Sequence, residues 1–142
     1  MFSLKRDSFR GEPTVEVLID GQAWGQTHTW DAHFRFGLFK ARMIMTYLDV
    51  IEEFGASHGR SPSCHRAIKR RMADSGLECT CTTLPSFVNS YGCHVEEPYV
   101  KLQSRRELGL GVEKANALVV LAEDVERFAL QLRRKGIRRP SG

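Results

Sequence analysis

Two stretches of the chain carry apolar residues at the spacing of an amphipathic helix. In residues 44–54 an apolar side chain recurs every three or four positions, and Gly55 follows. Residues 118–132 show the same period, with acidic and amide side chains on the opposite side. One buried helix face produces this pattern. It therefore predicts two long helices, which end near Gly55 and Gly136 because glycine often terminates a helix.

Segments rich in Val, Thr and aromatic residues precede each predicted helix. This composition favours β-strands, and Asp20-Gly21 and Tyr91-Gly92 are turn signals between them. Runs of strands that end in a single helix leave no helical crossover between the strands. We therefore expect an α+β fold with an antiparallel sheet and both long helices on one face. The predicted strands are 14–20, 25–30 and 33–38 before the first helix, and 80–88, 98–103 and 107–112 before the second.

The two helical stretches also resemble each other in sequence. Residues 36–54 and 110–128 align without a gap and share five identities in 19 positions. This agreement predicts an internal duplication, with strand–strand–strand–helix units at about 14–55 and 80–132 forming one pseudo-symmetric domain. The identical pairs are Gly37/Gly111, Lys40/Lys114, Ala41/Ala115, Glu52/Glu126 and Phe54/Phe128.

The insert between the units, residues 56–78, is short of apolar side chains. It predicts a short basic surface helix over 63–74, stopped by Ser75-Gly76. The length of 142 residues fits one domain. We assign residues 1–132 to a single α+β domain and residues 133–142 to a basic C-terminal tail.

The net charge of +4 is unevenly distributed along the chain. Five of the 21 basic residues lie in the last ten positions, where no acidic residue occurs, and residues 60–71 form a second basic block without an acid. Segregated positive charge is typical of proteins that bind a polyanion; a basic tail that only improves solubility or complements a helix dipole is the alternative. The candidate phosphate-binding residues are Arg60, Arg66, Lys69, Arg70, Arg71, Arg133, Arg134, Lys135, Arg138 and Arg139.

Aromatic residues cluster before the first predicted helix. Trp24, His28 and Trp30 have the same parity, so a regular strand places them on one face. If exposed, these rings form a platform on which unpaired bases stack; if buried, they belong to the core. Phe34 and Phe36 lead into a buried helix with period two, which favours the core for both.

The four cysteines and two nearby histidines do not have the spacing of a structural zinc site. Such sites usually take two ligand pairs from tight knuckles, and no such pair occurs here. We therefore predict no cofactor and interpret the cysteines as small core residues. Zinc remains the alternative, with Cys64, Cys79, Cys81 and Cys93 as its candidate ligands.

No catalytic constellation is recognisable. The chain has no nucleophile elbow, no phosphate-binding loop and no dinucleotide fingerprint, so we expect a protein that is not an enzyme. No apolar run reaches the ~18 residues of a membrane span, and the charged N-terminus does not resemble an export signal. The expected compartment is the cytoplasm, without a membrane partner.

The tandem strands-then-helix arrangement, carried by residues 36–54 and 110–128, resembles that of small single-stranded nucleic-acid binders of the PUR type. The resemblance is one of arrangement and transfers no residue roles. Our hypothesis is a non-catalytic nucleic-acid-binding protein that favours single-stranded DNA or RNA. The alternative is a small inhibitor, adaptor or assembly subunit that binds an acidic protein surface or forms a homodimer. It is suggested by the apolar side chains of Met43, Met45, Tyr47 and Val50 outside a narrow helix stripe.

Overall fold

The first half of the chain forms an antiparallel sheet in which β2 is central. The computed structural model describes residues 1–26, 33–60, 67–73, 75–88 and 91–138, without the side chains of 26, 87, 88, 95 and 131–138. β2 pairs with β1 along one edge and with both β3 and β4 along the other. The strands are β1 (Phe2–Phe9), β2 (Glu12–Ile19), β3 (Gln22–Ala23) and β4 (Phe34–Gly37).

Two-residue turns connect the first three strands. Arg10-Gly11 and Asp20-Gly21 both have positive φ at each position, which is the backbone of the type I′ hairpin turn. Phe9 therefore pairs with Glu12, and Ile19 pairs with Gln22. The turn predicted at Asp20-Gly21 is confirmed.

The second half forms a separate antiparallel sheet in the order β10-β9-β6-β5. The residues of β6 that point to the core are two cysteines and a threonine, and those of β9 are Val100 and Leu102. A small two-stranded ribbon of β7 and β8 lies between β6 and β9 in the sequence. The strands are β5 (Ala67–Arg71), β6 (Glu78–Leu84), β7 (Phe87–Val88), β8 (His94–Val95), β9 (Tyr99–Gln103) and β10 (Glu107–Leu110).

Each predicted long helix is present as two consecutive helices that meet at one residue. Tyr47 separates α1 (Leu38–Thr46) from α2 (Leu48–Ala56), and Leu121 separates α3 (Val112–Val120) from α4 (Ala122–Arg138). Both junctions, and the starts of α1 and α3, are 74 positions apart, the offset of the sequence alignment. The duplication itself stays a prediction. The predicted stop at Gly136 is wrong, since α4 continues to Arg138.

The helices of each half contact the sheet of the other half. The Tyr47 hydroxyl donates to backbone carbonyls of Ile68 in β5 and Cys79 in β6. From the second half, the Phe128 ring of α4 lies 5.6 Å from the Arg6 guanidinium of β1. The Lys114 ammonium of α3 lies 4.8 Å from the Phe34 ring of β4. The buried side chains of both halves consequently form a single hydrophobic core.

The α+β class with antiparallel strands is confirmed, but two details of the expected architecture are wrong. The strands form two main sheets rather than one. The basic insert contains β5 instead of a short helix, and Ile68, Arg70 and Met72 point inward while Lys69 and Arg71 point outward. Pairing of five residues with β6 outweighs the weak local helix preference of this segment.

Candidate nucleic-acid interface

The outer face of the second sheet is the polar side of its strands. Burial alternates along β5, β6, β9 and β10, and the alternate residues turned away from the core are exposed or half-buried. In register, Thr80 lies between Lys69 and Gln103, and Thr82 lies beside Lys101. We name this surface the outer face; it comprises Ala67, Lys69, Arg71, Glu78, Thr80, Thr82, Leu84, Tyr99, Lys101, Gln103, Glu107 and Gly109.

Three cations of the outer face have only weak competing partners. Lys69 Nζ lies 3.9 Å from Glu78 Oε1, and Lys101 Nζ lies 3.6 Å from Glu107 Oε1. Arg71 donates to a backbone carbonyl at 3.3 Å. An exposed ion pair contributes about 0–1 kcal/mol. An incoming phosphate can therefore exchange with these carboxylates at little cost.

The same face carries groups suited to sugars and bases. Thr80, Thr82 and Gln103 supply hydroxyl and amide groups, which commonly bind phosphate and sugar oxygens. Tyr99 is half-buried on this face, and its neighbour on β10, Gly109, has no side chain to cover the ring; a Cβ built there would lie 3.9 Å from Tyr99 Cδ2. Aromatic rings in such positions stack on bases without regard to sequence.

Arg70, a predicted phosphate ligand, is turned inward and already engaged. Its Nη1 and Nη2 donate to the two carboxylate oxygens of Asp49 at 2.8 and 3.0 Å, and Nη1 also donates to Thr46 O at 3.1 Å. The guanidinium carbon lies 5.1 Å from the Tyr47 ring centre. The hydrogen bonds from Arg70 lower the pKa of Asp49 below its usual value. Arg70 therefore joins β5 to the α1–α2 junction.

Trp24 is a core residue. Its side chain is 1% exposed and packs edge-on against Phe34, with ring centres 5.3 Å apart. A buried indole presents no surface to a base, so the stacking role predicted for Trp24 is wrong. The predicted core positions of Phe34 and Phe36 are confirmed. His28 and Trp30 lie outside the described residues.

The first sheet has a different outer surface, centred on a buried carboxylate. Glu16 of β2 is 5% exposed. Its Oε2 lies 2.7 Å from His33 Nδ1, and its Oε1 lies 3.5 Å from Arg35 Nε. Lys5 faces Glu16 across β1. The carboxylate compensates the nearby positive charges, which makes this surface a poorer polyanion site than the outer face of the second sheet.

Residues next to the two basic segments of the sequence line one cavity. Met72 and Ala73, directly after Arg71, line the same cavity as Leu130 of α4. From there α4 continues to residue 138, so the helix includes Arg133, Arg134, Lys135 and Arg138. Six of the ten residues of the expected tail are therefore helical. Arg60 is exposed after α2, whereas Arg66 and Arg139 lie outside the described residues.

The cysteines do not form a ligand cluster within the described part of the chain. Cys79 and Cys81 are buried on the inner side of β6, and Cys93 is exposed. Burial raises the pKa of the Cys79 thiol. No three His, Cys, Asp or Glu side chains in the described ranges are arranged to hold a metal ion. Cys64 lies outside those ranges.

Sequence reasoning missed Tyr99 and Lys101 as candidate binding residues. The signal was present, because Val100 and Leu102 alternate with Tyr99, Lys101 and Gln103 in a segment predicted as a strand. Assigning the apolar pair to the core would have placed the other three residues on the exposed side.

Comparisons of the chain with family models, with curated proteins and with solved structures found no match. Among the described residues, no helix is both long and apolar enough to cross a membrane.

Proposed function

We propose that this protein is a non-catalytic nucleic-acid-binding protein that favours single-stranded DNA or RNA. The observation that supports the proposal is the outer face of the second sheet, where Lys69, Arg71 and Lys101 lie among hydroxyl and amide groups on one exposed surface. Cations at this surface bind phosphates, and the ring of Tyr99 contacts a base.

The basic end of α4 supplies further positive charge. Its cations attract the phosphate backbone without reading sequence, and the resulting affinity depends strongly on salt. A flat sheet face fits the unpaired bases of a single strand better than a duplex, whose bases are stacked inside the helix. The preference for single strands follows from this geometry.

The alternative function, a small protein-binding module, keeps the half-buried Met45 but loses the other three residues that suggested an apolar surface. Met43, Tyr47 and Val50, which suggested an exposed apolar surface, are buried in the core, with exposures of 0%, 0% and 7%. The apolar excess of the first helical stretch is explained by the cross-packing of α1 and α2 on the second sheet. An acidic protein surface is the competing polyanion, and it gains support if single strands do not bind at the lowest salt in the test below.

The alternating orientation of the side chains along β5 provides a matched experiment. Lys69 and Arg71 point outward and Arg70 points inward, so neighbouring substitutions separate binding from stability. We expect Lys69→Ala/Arg71→Ala to weaken binding to a fluorescein-labelled 20-nucleotide single strand. Each lost phosphate contact reduces the slope of log Kobs against log salt by about 0.7 for single strands, so the slope falls by about 1.4.

Arg70→Ala is the control for this measurement. It removes the contacts to Asp49 and Tyr47, so it lowers the midpoint of urea unfolding but leaves the salt slope unchanged. Fluorescence anisotropy between 25 and 200 mM salt measures the slope for each variant. Absence of binding to single strands at the lowest salt would overturn the proposed function. An unchanged slope in the double variant would remove the outer face from it.

A further inference from the structure

A cavity of about 310 Å³ opens where α1, α4 and the end of β5 meet. This volume lies near the lower end of the ~300–1,000 Å³ range of small-molecule sites. Met45 and Met72 line it from two sides, Ala129 and Leu130 line it from α4, and Arg42 and Glu126 add one cation and one carboxylate.

The corresponding crossing of the other two helices is closed. Asn116 is the fifth residue of α3, as Arg42 is of α1, and Gly55 is the eighth residue of α2, as Ala129 is of α4. At the α2–α3 crossing the Asn116 amide packs so tightly on Gly55 that a Cβ there would lie 2.3 Å from Asn116 Oδ1. At the α1–α4 crossing Arg42 and Ala129 border the cavity instead. The opening is thus specific to one of two similar crossings.

The cavity has the chemistry of a nucleobase site. A base has apolar faces and an edge of hydrogen-bond donors and acceptors. The methionine thioethers suit aromatic faces. The Arg42 guanidinium can donate to base acceptors, and the Glu126 carboxylate can accept from exocyclic amino groups.

Its position fits a ligand that is attached to a phosphate chain. Met72 directly follows Arg71 of the outer face, and Leu130 precedes Arg133 by less than one helical turn. Arg71 points to the outer face and Met72 points to the cavity, so a nucleic-acid strand that contacts both passes around β5, which is the edge strand of the second sheet. We propose that this cavity accepts one unpaired base of the bound single strand, an inference that rests on the proposed function.

The four methionines allow a direct test. In protein labelled with ¹³C at the methionine methyl groups, we expect a ten-nucleotide single-stranded DNA to shift the Met45 and Met72 signals through the ring current of the inserted base. Met43, buried at 0% exposure, and Met1, exposed at 91%, serve as internal controls. The same strand with abasic residues throughout should leave Met45 and Met72 unchanged.

A cavity-filling variant tests the contribution to affinity. Ala129→Met should weaken binding of the ten-nucleotide strand about tenfold, the order expected for loss of one stacked base, and should not alter binding of the abasic strand. Ala56→Met, at the exposed end of α2, is the matched control. Thermal unfolding verifies that both variants fold; if Ala129→Met does not, the methyl spectra of the unaltered protein decide alone.

The outcomes separate the two proposals. Salt-dependent binding with unchanged Met45 and Met72 signals would overturn the base site and leave the proposed function intact. Binding of neither strand at low salt would overturn both.

Discussion

At the scale of single residues, Tyr47 connects the first helical unit to the second sheet. Its hydroxyl donates to the carbonyls of Ile68 and Cys79, and its ring lies beneath the Arg70 guanidinium. Burial, the largest cause, and the nearby Cys79 together raise the pKa of Tyr47 from 10.0 to about 12. The protein thus favours the neutral phenol, which alone can donate this hydrogen bond.

Replacing this hydroxyl should destabilise the protein in a pH-dependent way. Tyr47→Phe leaves buried carbonyls unsatisfied, so we expect a loss of about 1–3 kcal/mol of unfolding free energy at pH 8. A folded-state pKa above the unfolded value stabilises fully below pH 10 and less as the pH rises toward 12. The difference between wild type and variant should consequently shrink over that interval.

Urea unfolding at pH 8, 9, 10 and 11 measures this difference. Tyr91→Phe is the control, because the Tyr91 side chain is 74% exposed. A Tyr47→Phe protein as stable as wild type at pH 8 would contradict the role assigned to the hydroxyl.

At the scale of elements, the close approach of α2 and α3 depends on one small residue, Gly55. Gly55 lies within α2 rather than after it, because only a residue without a Cβ lets Asn116 of α3 approach this closely. The sequence pattern suggested a helix stop at Gly55 for its backbone freedom, whereas its actual role is steric.

Gly55→Ala tests this steric role. The new methyl group improves helix propensity by about 1 kcal/mol, but overpacking against Asn116 costs about 1–3 kcal/mol. We expect a net loss of up to about 2 kcal/mol. Gly55→Ala/Asn116→Ala should recover most of this loss, because the shorter side chain vacates the space. Additive effects in a double-mutant cycle measured by urea unfolding would argue against direct contact.

Helices and most strands were predictable because their apolar residues follow a regular period. The strands predicted at 14–20, 98–103 and 107–112 correspond to β2, β9 and β10. β1 was missed and β5 was predicted as a helix for the same physical reason. Each has an arginine at an inward position, Arg6 on the Phe128 ring and Arg70 on the Tyr47 ring. An arginine that contacts a ring far away in the sequence replaces an apolar residue at an inward position. The alternation of apolar and polar residues is then not visible from the sequence alone.

The candidate site was predictable only in part. Charge clustering identified Lys69 and Arg71, because the excess of positive charge is a property of composition. It could not separate them from Arg70, since the orientation of each side chain depends on pairing with β6. Trp24 was misassigned because its burial depends on Phe2 and Phe34, which the fold brings to either side of it.

At the scale of the whole molecule, the two similar halves present different charges. On the outer surface of the first sheet, the buried Glu16 pairs with Arg35 and contacts the His33 ring. Glu16 pairs with Arg35 of β4, the last strand of the first half. At the matching place in the second half, Lys101 pairs with Gly109 of β10. The carboxylates that pair with Lys69 and Lys101 on the outer face are exposed, whereas the carboxylate of the first sheet is buried, and a further excess of positive charge lies at the end of α4.

This distribution predicts that the effect of the α4 cations depends on ligand length. The second sheet has four strands spaced about 4.8 Å apart, so it spans roughly 15 Å. A four-nucleotide strand can occupy this face alone, whereas a 20-nucleotide strand also reaches the end of α4. Arg133→Glu/Arg134→Glu should lower the salt slope of the longer strand by about 1.4 and leave that of the shorter strand nearly unchanged.

Lys5→Glu/Arg10→Glu changes the net charge equally on the first sheet and is the matched control. Anisotropy titrations with both strands at four salt concentrations measure the slopes. Equal effects of the two double variants on the longer strand would mean that net charge, and not the end of α4, determines its affinity. A larger effect of the α4 variant on the long strand alone would show that one nucleic-acid strand contacts both basic segments together.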